Sequence, residues 1–348
     1  MPSSFEQPES FEARKEAFLE QLKVKEQWES QIRVLNQSGV LEILPEVNDL
    51  GIVGIDGHEY PVPTYEQIKD SLTPEKLARL EQKAEQGFTQ LMLVPMAMPL
   101  DILIDRYKRV ILKHHQAGTM LSPDNTKLEV DEKNPVDVWG EIKGADAEDR
   151  LVYYPKQFSE DHQGKTKKEL IQENGAWETR FIEDLPNLPA KGQGKTIGGR
   201  KQLEADQTPI QYLKTIQTDP AYQHEQGATP ELWLTKAITY LEGKNQQIDD
   251  WQGPGKVSFL FGSYLPSSDR VPRAYWHRGN RQAYLGRNYP DHHYSYLAAF
   301  AADENLLESW SLFFFFYFFL FFGSENFFGE KTPWFLSRLP KDLSKKYG

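Results

Sequence analysis

Thr-Pro pairs at Thr73, Thr208 and Thr229 place helix starts in both halves of the 348-residue chain. A threonine hydroxyl caps the free N–H groups at the start of a helix, and proline is well tolerated at the first helical position. Apolar residues at helical spacing predict two further amphipathic helices, at residues 10–36 and 99–115. Helices are therefore expected along much of the chain.

Short extended segments are predicted between the helices. Residues 52–55 and 59–62 read as a hairpin joined by Asp56-Gly57, a pair that accepts positive φ. Beyond Gly253, short strands such as residues 257–261 alternate with turns. The mixture predicts an α+β fold, with a helix-rich α+β N-terminal domain at residues 1–117, a linker or surface loops at 118–150 and a second domain at 151–305.

The last segment, residues 306–348, has an aberrant composition. Residues 312–322 are almost pure phenylalanine, and this run is too short to span a bilayer, which needs about 20 apolar residues. Because each of these residues has a thymine-rich codon, our hypothesis is read-through into a T-rich tract after a lost stop or a frameshift. The alternative is a membrane-surface anchor assisted by the lysines at 341, 345 and 346.

Bulk charge and the missing cysteines exclude several classes of function. A net charge of −11 leaves no positive field to collect phosphates, so no nucleic-acid partner is expected. The chain has no cysteine, which removes disulfides, thiolate nucleophiles and thiol-ligated metals. The N-terminus is acidic from Glu6 and has no apolar run of signal-peptide length, so a cytoplasmic protein is expected.

Sequence motifs for catalysis are weak. Gly-Lys-Thr occurs twice, but a phosphate-binding loop needs glycine where the chain has Ser159 and Pro189. His114-His115 is interpreted as a solvated helix end, and Asp249-Asp250 as a helix exit. No G-x-S-x-G motif occurs. The sequence therefore predicts no catalytic residue, no metal site and no cofactor.

The run VPRAYWHRGNRQAYLGRNYPDHHYSYLAAFAA, residues 271–302, carries a stronger pattern. It resembles the C-terminal core motif of the formylglycine-generating enzyme (sulfatase-modifying factor) family, which has a C-type-lectin-like fold. The places of that motif are occupied by Arg273, Trp276, Arg281, Gly286, Arg287, Pro290-Asp291 and residues 298–302. One departure is that Leu297-Ala298-Ala299-Phe300 replaces the usual Gly-Phe-Arg.

The resemblance implies the scaffold without the oxidase activity, because catalytic members of the family need cysteines to hold copper. The run is closer to the variable proteins that diversity-generating retroelements rewrite at adenines in this strip. Randomising the adenines of asparagine codons never yields Lys, Glu, Gln, Met or Trp, and residues 283–303 contain none of these types. The domain at 151–305 is therefore expected to be a C-type-lectin-like, non-enzymatic binder of an unknown protein or glycan.

Tyrosine and arginine suit ligand contact because they give large contact areas, while Ser, Asn and Gly adapt their hydrogen bonds. Trp276 lies outside the rewritable set and is assigned with residues 298–302 to the scaffold. No loop of the calcium-dependent sugar-binding type is found. The predicted ligand-binding residues are Tyr275, His277, Arg278, Asn280, Arg281, Tyr284, Arg287, Asn288, Tyr289, His292, His293, Tyr294 and Tyr296.

Three alternatives stay open. Alternating aromatic residues could simply pack a strand core. A cysteine-free, metal-dependent enzyme on the same fold would use Asp291, His292 and His293 to hold iron. The N-terminal region could also carry the function, with the C-terminal domain only displaying it.

Overall fold

Helices and short strands alternate along residues 10–307, which are the residues that the computed structural model describes. The phenylalanine-rich tail and the hypotheses about it lie outside these residues. Within this range the α-helices are α1 (Phe11–Gln21), α2 (Val24–Gln37), α3 (Tyr65–Asp70), α4 (Pro74–Glu85), α5 (Leu100–Gln116), α6 (Lys167–Asn174), α7 (Pro209–Thr218) and α8 (Pro230–Lys244). Two single turns of 3-10 helix lie at Pro220–Tyr222 and Pro266–Ser268.

The strands of the same range are short, as the sequence predicts. In chain order they are β1 (Glu42–Leu44), β2 (Asp49–Val53), β3 (Glu59–Pro61), β4 (Phe88–Val94), β5 (Val136–Val138), β6 (Val152–Tyr153), β7 (Glu178–Glu183), β8 (Thr196–Ile197), β9 (Arg200–Lys201), β10 (Glu225–Gly227), β11 (Asp250–Trp251), β12 (Val257–Phe259), β13 (Ser263–Tyr264), β14 (Val271–His277), β15 (Gln282–Asn288), β16 (Leu297–Ala299) and β17 (Ala301–Asp303).

The strands form three larger sheets and two small ribbons. One sheet is the meander β1-β2-β3, a second has the order β10-β17-β7-β4, and the largest has the order β16-β12-β14-β15-β5 with β11 paired to β14. In the largest sheet β14 is antiparallel to β12 and β15, while β5, β11 and β16 pair in parallel with their neighbours. The fold is therefore mixed helix and sheet, as predicted.

The helix starts at the Thr-Pro pairs are confirmed. The hydroxyls of Thr73, Thr208 and Thr229 each accept a backbone N–H in the first turn of α4, α7 and α8, and the proline after each begins the helix. The predicted hairpin is also confirmed, as β2 and β3 with their turn between residues 54 and 58. These features depend on neighbours in sequence, so local chemistry is sufficient to specify them.

Two predicted elements are divided in the structure. The helix predicted at residues 10–36 is broken at Lys23, whose φ of 53° is left-handed and turns α2 away from α1. The strand predicted at residues 298–302 is two strands, because β16 pairs with β12 in the largest sheet while β17 pairs with β10 and β7. Phe300, between them, is buried and accepts the N–H of Ala228.

The sheet pairing and the core cross the predicted domain boundary near residue 117. Strand β4 pairs with β7, and helix α8, most of whose residues are buried, packs against α2, α5, β4 and β14. Residues 118–150 supply β5 to the edge of the largest sheet and bury Ile142 and Ala145. The two predicted domains therefore share one hydrophobic cluster.

The largest sheet separates two clusters of buried side chains. Ala274, Trp276 and Leu285 face the main cluster beneath α8, whereas Val271, Phe259 and Tyr275 face a second cluster that includes Tyr212 from α7. Consecutive residues of a strand point to opposite faces, so β14 contributes to both clusters. Across residues 10–307, no helix has the length and apolar character that a membrane crossing requires.

Candidate ligand-binding surface

The hairpin β14–β15 sets which of the predicted residues share a face. Its register pairs Arg273 with Gly286, Tyr275 with Tyr284, and His277 with Gln282. Directly opposed residues of an antiparallel pair point to the same side of the sheet. Arg273, Tyr275, His277 and Tyr284 therefore lie together on one face.

Six aromatic side chains form a continuous cluster on this side. We call the cluster formed by Trp251, Tyr275, His277, Tyr284, Tyr294 and Tyr296 the aromatic face. The indole of Trp251 lies 4.8 Å from the ring of His277, 5.4 Å from that of Tyr275 and 5.3 Å from that of Tyr296, measured between ring centroids. These separations are within the range of favourable aromatic pairs.

The cluster extends outward from Tyr275 in two directions. Across the hairpin, Tyr284 lies 5.2 Å from Tyr275. Toward the loop after β15, Tyr294 stacks on Tyr296 with ring centroids 5.3 Å apart and planes at 8°. The rings therefore connect β11, β14, β15 and the loop that precedes β16.

Exposure increases from the centre of the aromatic face to its rim. Tyr275 is only 5% exposed and belongs to the second buried cluster, and burial raises the pKa of its phenol to about 12. Trp251, Tyr284 and Tyr296 are half-buried against that cluster, and Tyr294 is 47% exposed. Tyr275 is thus positioned to support the face, while the outer rings remain open to a ligand.

His277 closes the end of the face next to the hairpin turn. Its Nδ1 accepts the backbone N–H of Asn280 at 3.1 Å, and burial lowers the pKa of the imidazole. Near neutral pH the ring is therefore uncharged, with its proton on Nε2. A neutral imidazole fits edge-on against Trp251 without a charge to desolvate.

Two of the predicted contact arginines lie on the opposite side of the hairpin. Arg278 donates to the buried carboxylate of Asp250 and to Ser122. Arg287 lies over the ring of Trp139 at 4.5 Å and pairs with Glu141 at 3.2 Å. Both guanidinium groups are engaged by residues of this chain and are separated from the aromatic face by the sheet.

The remaining predicted residues lie at the two ends of the hairpin. Asn280 and Arg281 are exposed at the turn between β14 and β15, where Arg281 has a φ of 58° and its carbonyl accepts the N–H of Asp131. At the other end of the hairpin, Asn288 caps the N–H of Tyr289 with its side-chain oxygen. The structure therefore distributes the predicted strip over more than one surface.

The loop after β15 presents a second, smaller group. The ring of Tyr289 is 41% exposed, with the guanidinium of Arg270 3.1 Å from its centroid and the imidazole of His292 4.8 Å from it. His293 Nε2 lies 3.7 Å from Asp206 Oδ1. These side chains are open to solvent but do not join the continuous ring cluster.

The predicted iron ligands do not converge. His292 Nε2 is 3.9 Å from Asp291 Oδ1, while His293 is directed to Asp206. Within residues 10–307 no three His, Asp or Glu side chains are grouped so that they could hold a metal ion. This part of the chain gives no geometric support to the metal-enzyme alternative.

The other motifs have structural partners. The Gly-Lys-Thr loop before β8 binds a carboxylate of its own chain, because the N–H groups of Gly192 and Gly194 donate to Glu204 at 2.9 and 3.0 Å. His114 is buried and bonds to Thr119, so the interpretation as a solvated helix end is wrong for this residue. Asp249 lies beyond the end of α8 and accepts from Trp233 and Ser258, so it is a buried anchor and not the predicted helix exit.

Two residues of the surface were not among the predicted ligand contacts. Trp251 reaches the face through β11, a strand of two residues that no sequence pattern indicates. Arg273 could have been found from its spacing, since it lies two residues before Tyr275 on one strand and must share its face. Its guanidinium is 5.8 Å from the ring centroids of both Tyr275 and Tyr284.

Comparison of the chain with protein-family models, with curated proteins and with solved structures gives no match in any of the three.

Proposed function

We propose that this chain is a non-enzymatic binding protein whose ligand, a protein or a glycan, contacts the aromatic face. In this proposal residues 271–302 belong to a C-type-lectin-like scaffold of the kind that diversity-generating retroelements modify. The observation that carries the proposal is the continuous cluster of six rings, which is buried at Tyr275 and open at Tyr294.

The composition of the face supports binding. Tyrosine and tryptophan give large amphipathic contact areas at a low cost in side-chain entropy, which is why they dominate the binding surfaces of antibodies. A core alone does not require the stacked pair Tyr294 and Tyr296, since Tyr294 is 47% exposed. The core-packing alternative therefore accounts for Tyr275 but leaves the rim of the cluster without a reason.

The support beneath the face also favours a binding role. On the reverse side of the same strands, Trp276 and Leu285 are fully packed in the main hydrophobic cluster. Side chains on rigid strands hold a contact surface in one geometry more precisely than side chains on loops. The identity of residues on the aromatic face can therefore change without altering the packing of the opposite face.

Binding can be tested with two variants of the full chain. The double variant Tyr284→Ala, Tyr294→Ala removes two rings of the face, and Ile43→Ala removes a more exposed apolar side chain from β1, which belongs to a different sheet. The probes are an array of defined glycans and a phage-displayed random-peptide library. Selected ligands are expected to bind the double variant at least about tenfold more weakly and the control as well as the wild type.

Equal binding by the double variant would contradict the proposed site, and failure of the wild type to select any ligand would contradict the proposed function.

Diversification has its own test in the genome that encodes the chain. We expect an adenine-rich near-copy of the codons for residues 275–296 beside a reverse-transcriptase gene. Without such a copy the diversification part of the proposal fails, while the binding surface remains to be judged by the variants.

A further inference from the structure

Arg273 occupies a distinctive position at the edge of the aromatic face. Its guanidinium lies 5.8 Å from the ring centroid of Tyr275 on its own strand and 5.8 Å from that of Tyr284 on the next strand. A guanidinium over aromatic rings is held in orientation by their negative faces and by the rigidity of both planes. The arginine is therefore fixed within the proposed binding surface.

The residue opposite Arg273 leaves room for this arrangement. Gly286 has no side chain, and the ring of Tyr284 folds over it so closely that a Cβ at this position would lie 2.1 Å from a ring atom. The glycine lets the phenol ring lean toward Arg273 across the hairpin. The absence of a side chain at Gly286 thus allows the guanidinium of Arg273 to lie against the rings of both Tyr275 and Tyr284.

Arg273 lacks the anionic partner that the other arginines of the hairpin strands possess. Arg278 is paired with Asp250 and Arg287 with Glu141. For Arg273, no carboxylate of residues 10–307 lies within ion-pair distance, and its buried Nε has no hydrogen-bond acceptor. Its terminal nitrogens also make no hydrogen bond within residues 10–307, but they are not fully buried. They are therefore accessible at the surface.

A half-buried cation without a counter-ion is costly, and a carboxylate would remove that cost. The two terminal nitrogens of an arginine form a planar fork that matches the two oxygens of a carboxylate. The flanking rings would shield such a pair from water and accept the apolar side chains around it. A ligand with a carboxylate beside apolar groups would satisfy the site as it stands.

We propose that the partner of the aromatic face is an acidic protein segment whose Asp or Glu carboxylate pairs with Arg273 while neighbouring apolar side chains cover Tyr284 and Tyr294. The inference rests on the proposed function. A peptide is favoured over an acidic glycan because the surface has the composition of a protein-recognition site, with several tyrosines beside an arginine.

The inference is tested on the full chain with two blocked peptides, acetyl-Leu-Glu-Leu-amide and acetyl-Leu-Gln-Leu-amide, which differ in charge but scarcely in shape. The signals of arginine Nε–H groups in the nuclear magnetic resonance spectrum of the deuterated, nitrogen-15-labelled protein report binding. The Arg273 signal is assigned by its loss in Arg273→Lys. We expect the glutamate peptide to shift it and to bind about tenfold more tightly than the glutamine peptide.

Matched variants locate the effect. Arg273→Gln is expected to abolish the preference for glutamate, whereas Arg33→Gln, at an exposed position of α2, is expected to retain it. Equal affinity of both peptides, with both lost in Tyr284→Ala, would overturn the carboxylate pairing and leave the proposed function standing. A response to N-acetylneuraminic acid but not to the glutamate peptide, or no response of Arg273 to the peptide, would also overturn the inference.

Discussion

The indole of Trp251 meets the ring of Tyr275 edge-on, with ring centroids 5.4 Å apart and planes at 83°. The two residues meet because β11 pairs in parallel with the end of β14, which places Trp251 opposite His277. A tryptophan distant in sequence thereby joins the strand neighbours Tyr275 and Tyr284 in one cluster.

Because Trp251 touches three other rings of the aromatic face, its removal is expected to loosen the whole cluster. Trp251→Ala should lower the free energy of unfolding by about 2 kcal/mol, less than for a fully buried tryptophan because this one is half-buried. Urea denaturation measures the change. Trp139→Ala is the control, since that tryptophan is 41% exposed on the other side of the sheet and should cost less. Equal losses of unfolding free energy in Trp251→Ala and Trp139→Ala would contradict the central role of Trp251.

Gly286→Ala is expected to disturb the surface with little effect on stability. The added Cβ meets the outer part of the Tyr284 ring at 2.1 Å, and that side chain can rotate away. We expect a loss of about 1 kcal/mol or less in unfolding free energy, together with weaker binding of ligands that contact Tyr284. Unfolding curves and ligand titrations on one variant measure both effects.

Gly262→Ala provides the contrasting control, because there the added Cβ would lie 1.9 Å from the backbone carbonyl oxygen of Gly227. Backbone cannot rotate away, so this substitution should destabilise the fold by about 3 kcal/mol. Similar free energies of unfolding for Gly286→Ala and Gly262→Ala would show that the ring of Tyr284 does not rotate away from the added Cβ as expected.

The break between α1 and α2 predicts a stabilising substitution. Lys23 holds a left-handed φ of 53° and is exposed, so its side chain contributes little to packing. Lys23→Gly removes the steric cost of this conformation and should raise the free energy of unfolding by about 0.5 kcal/mol. Glu29→Gly, at an exposed position inside α2, should instead lower it by about 1 kcal/mol. A loss of stability in Lys23→Gly would contradict the left-handed break.

A buried carboxylate in β17 predicts a pH dependence. Burial raises the pKa of Asp303 from 3.8 to about 6, although Arg79 and Arg180 oppose the shift. Between these two values the folded state binds the proton more tightly than the unfolded state, so this group makes the protein less stable as the pH rises toward 6. Above about pH 6 the destabilisation is complete.

The substitution Asp303→Asn should remove this contribution. The difference between a pKa of 3.8 in the unfolded state and about 6 in the folded state corresponds to about 3 kcal/mol, so the free energy of unfolding of the variant should gain roughly that amount relative to the wild type between pH 4 and pH 7. Urea denaturation at a series of pH values measures the difference. If the free energies of unfolding of the two proteins changed in parallel with pH, a raised pKa at Asp303 would be contradicted.

Features set by sequence neighbours could be predicted, and features set by distant pairing could not. The caps at Thr73, Thr208 and Thr229 need only the residues of the first helical turn, and the hairpin of β2 and β3 needs only the turn that joins its strands. By contrast, the break at Lys23 occurs within an uninterrupted amphipathic pattern. Tertiary packing selects that conformation, and periodicity alone does not reveal it.

The same distinction applies to the site. Tyr275 and His277 share a face because strand alternation dictates it, and this could have been read from residues 273–277 directly. Tyr284 joins that face, and Arg287 the other, through the register of the hairpin, which alternation within one strand does not set. The contribution of Trp251 depends on a parallel pairing of two residues, which is too short to leave a period in the sequence.

The hairpin β14–β15 is enclosed on both sides, by Trp276 and its neighbours beneath and by Tyr275 and the second cluster above. Its rings are consequently ordered before any partner arrives. Association at the aromatic face would require little loss of conformational freedom in this chain, so the entropic cost of complex formation would fall mainly on the partner. Affinity would then depend on how readily that partner adopts its bound shape.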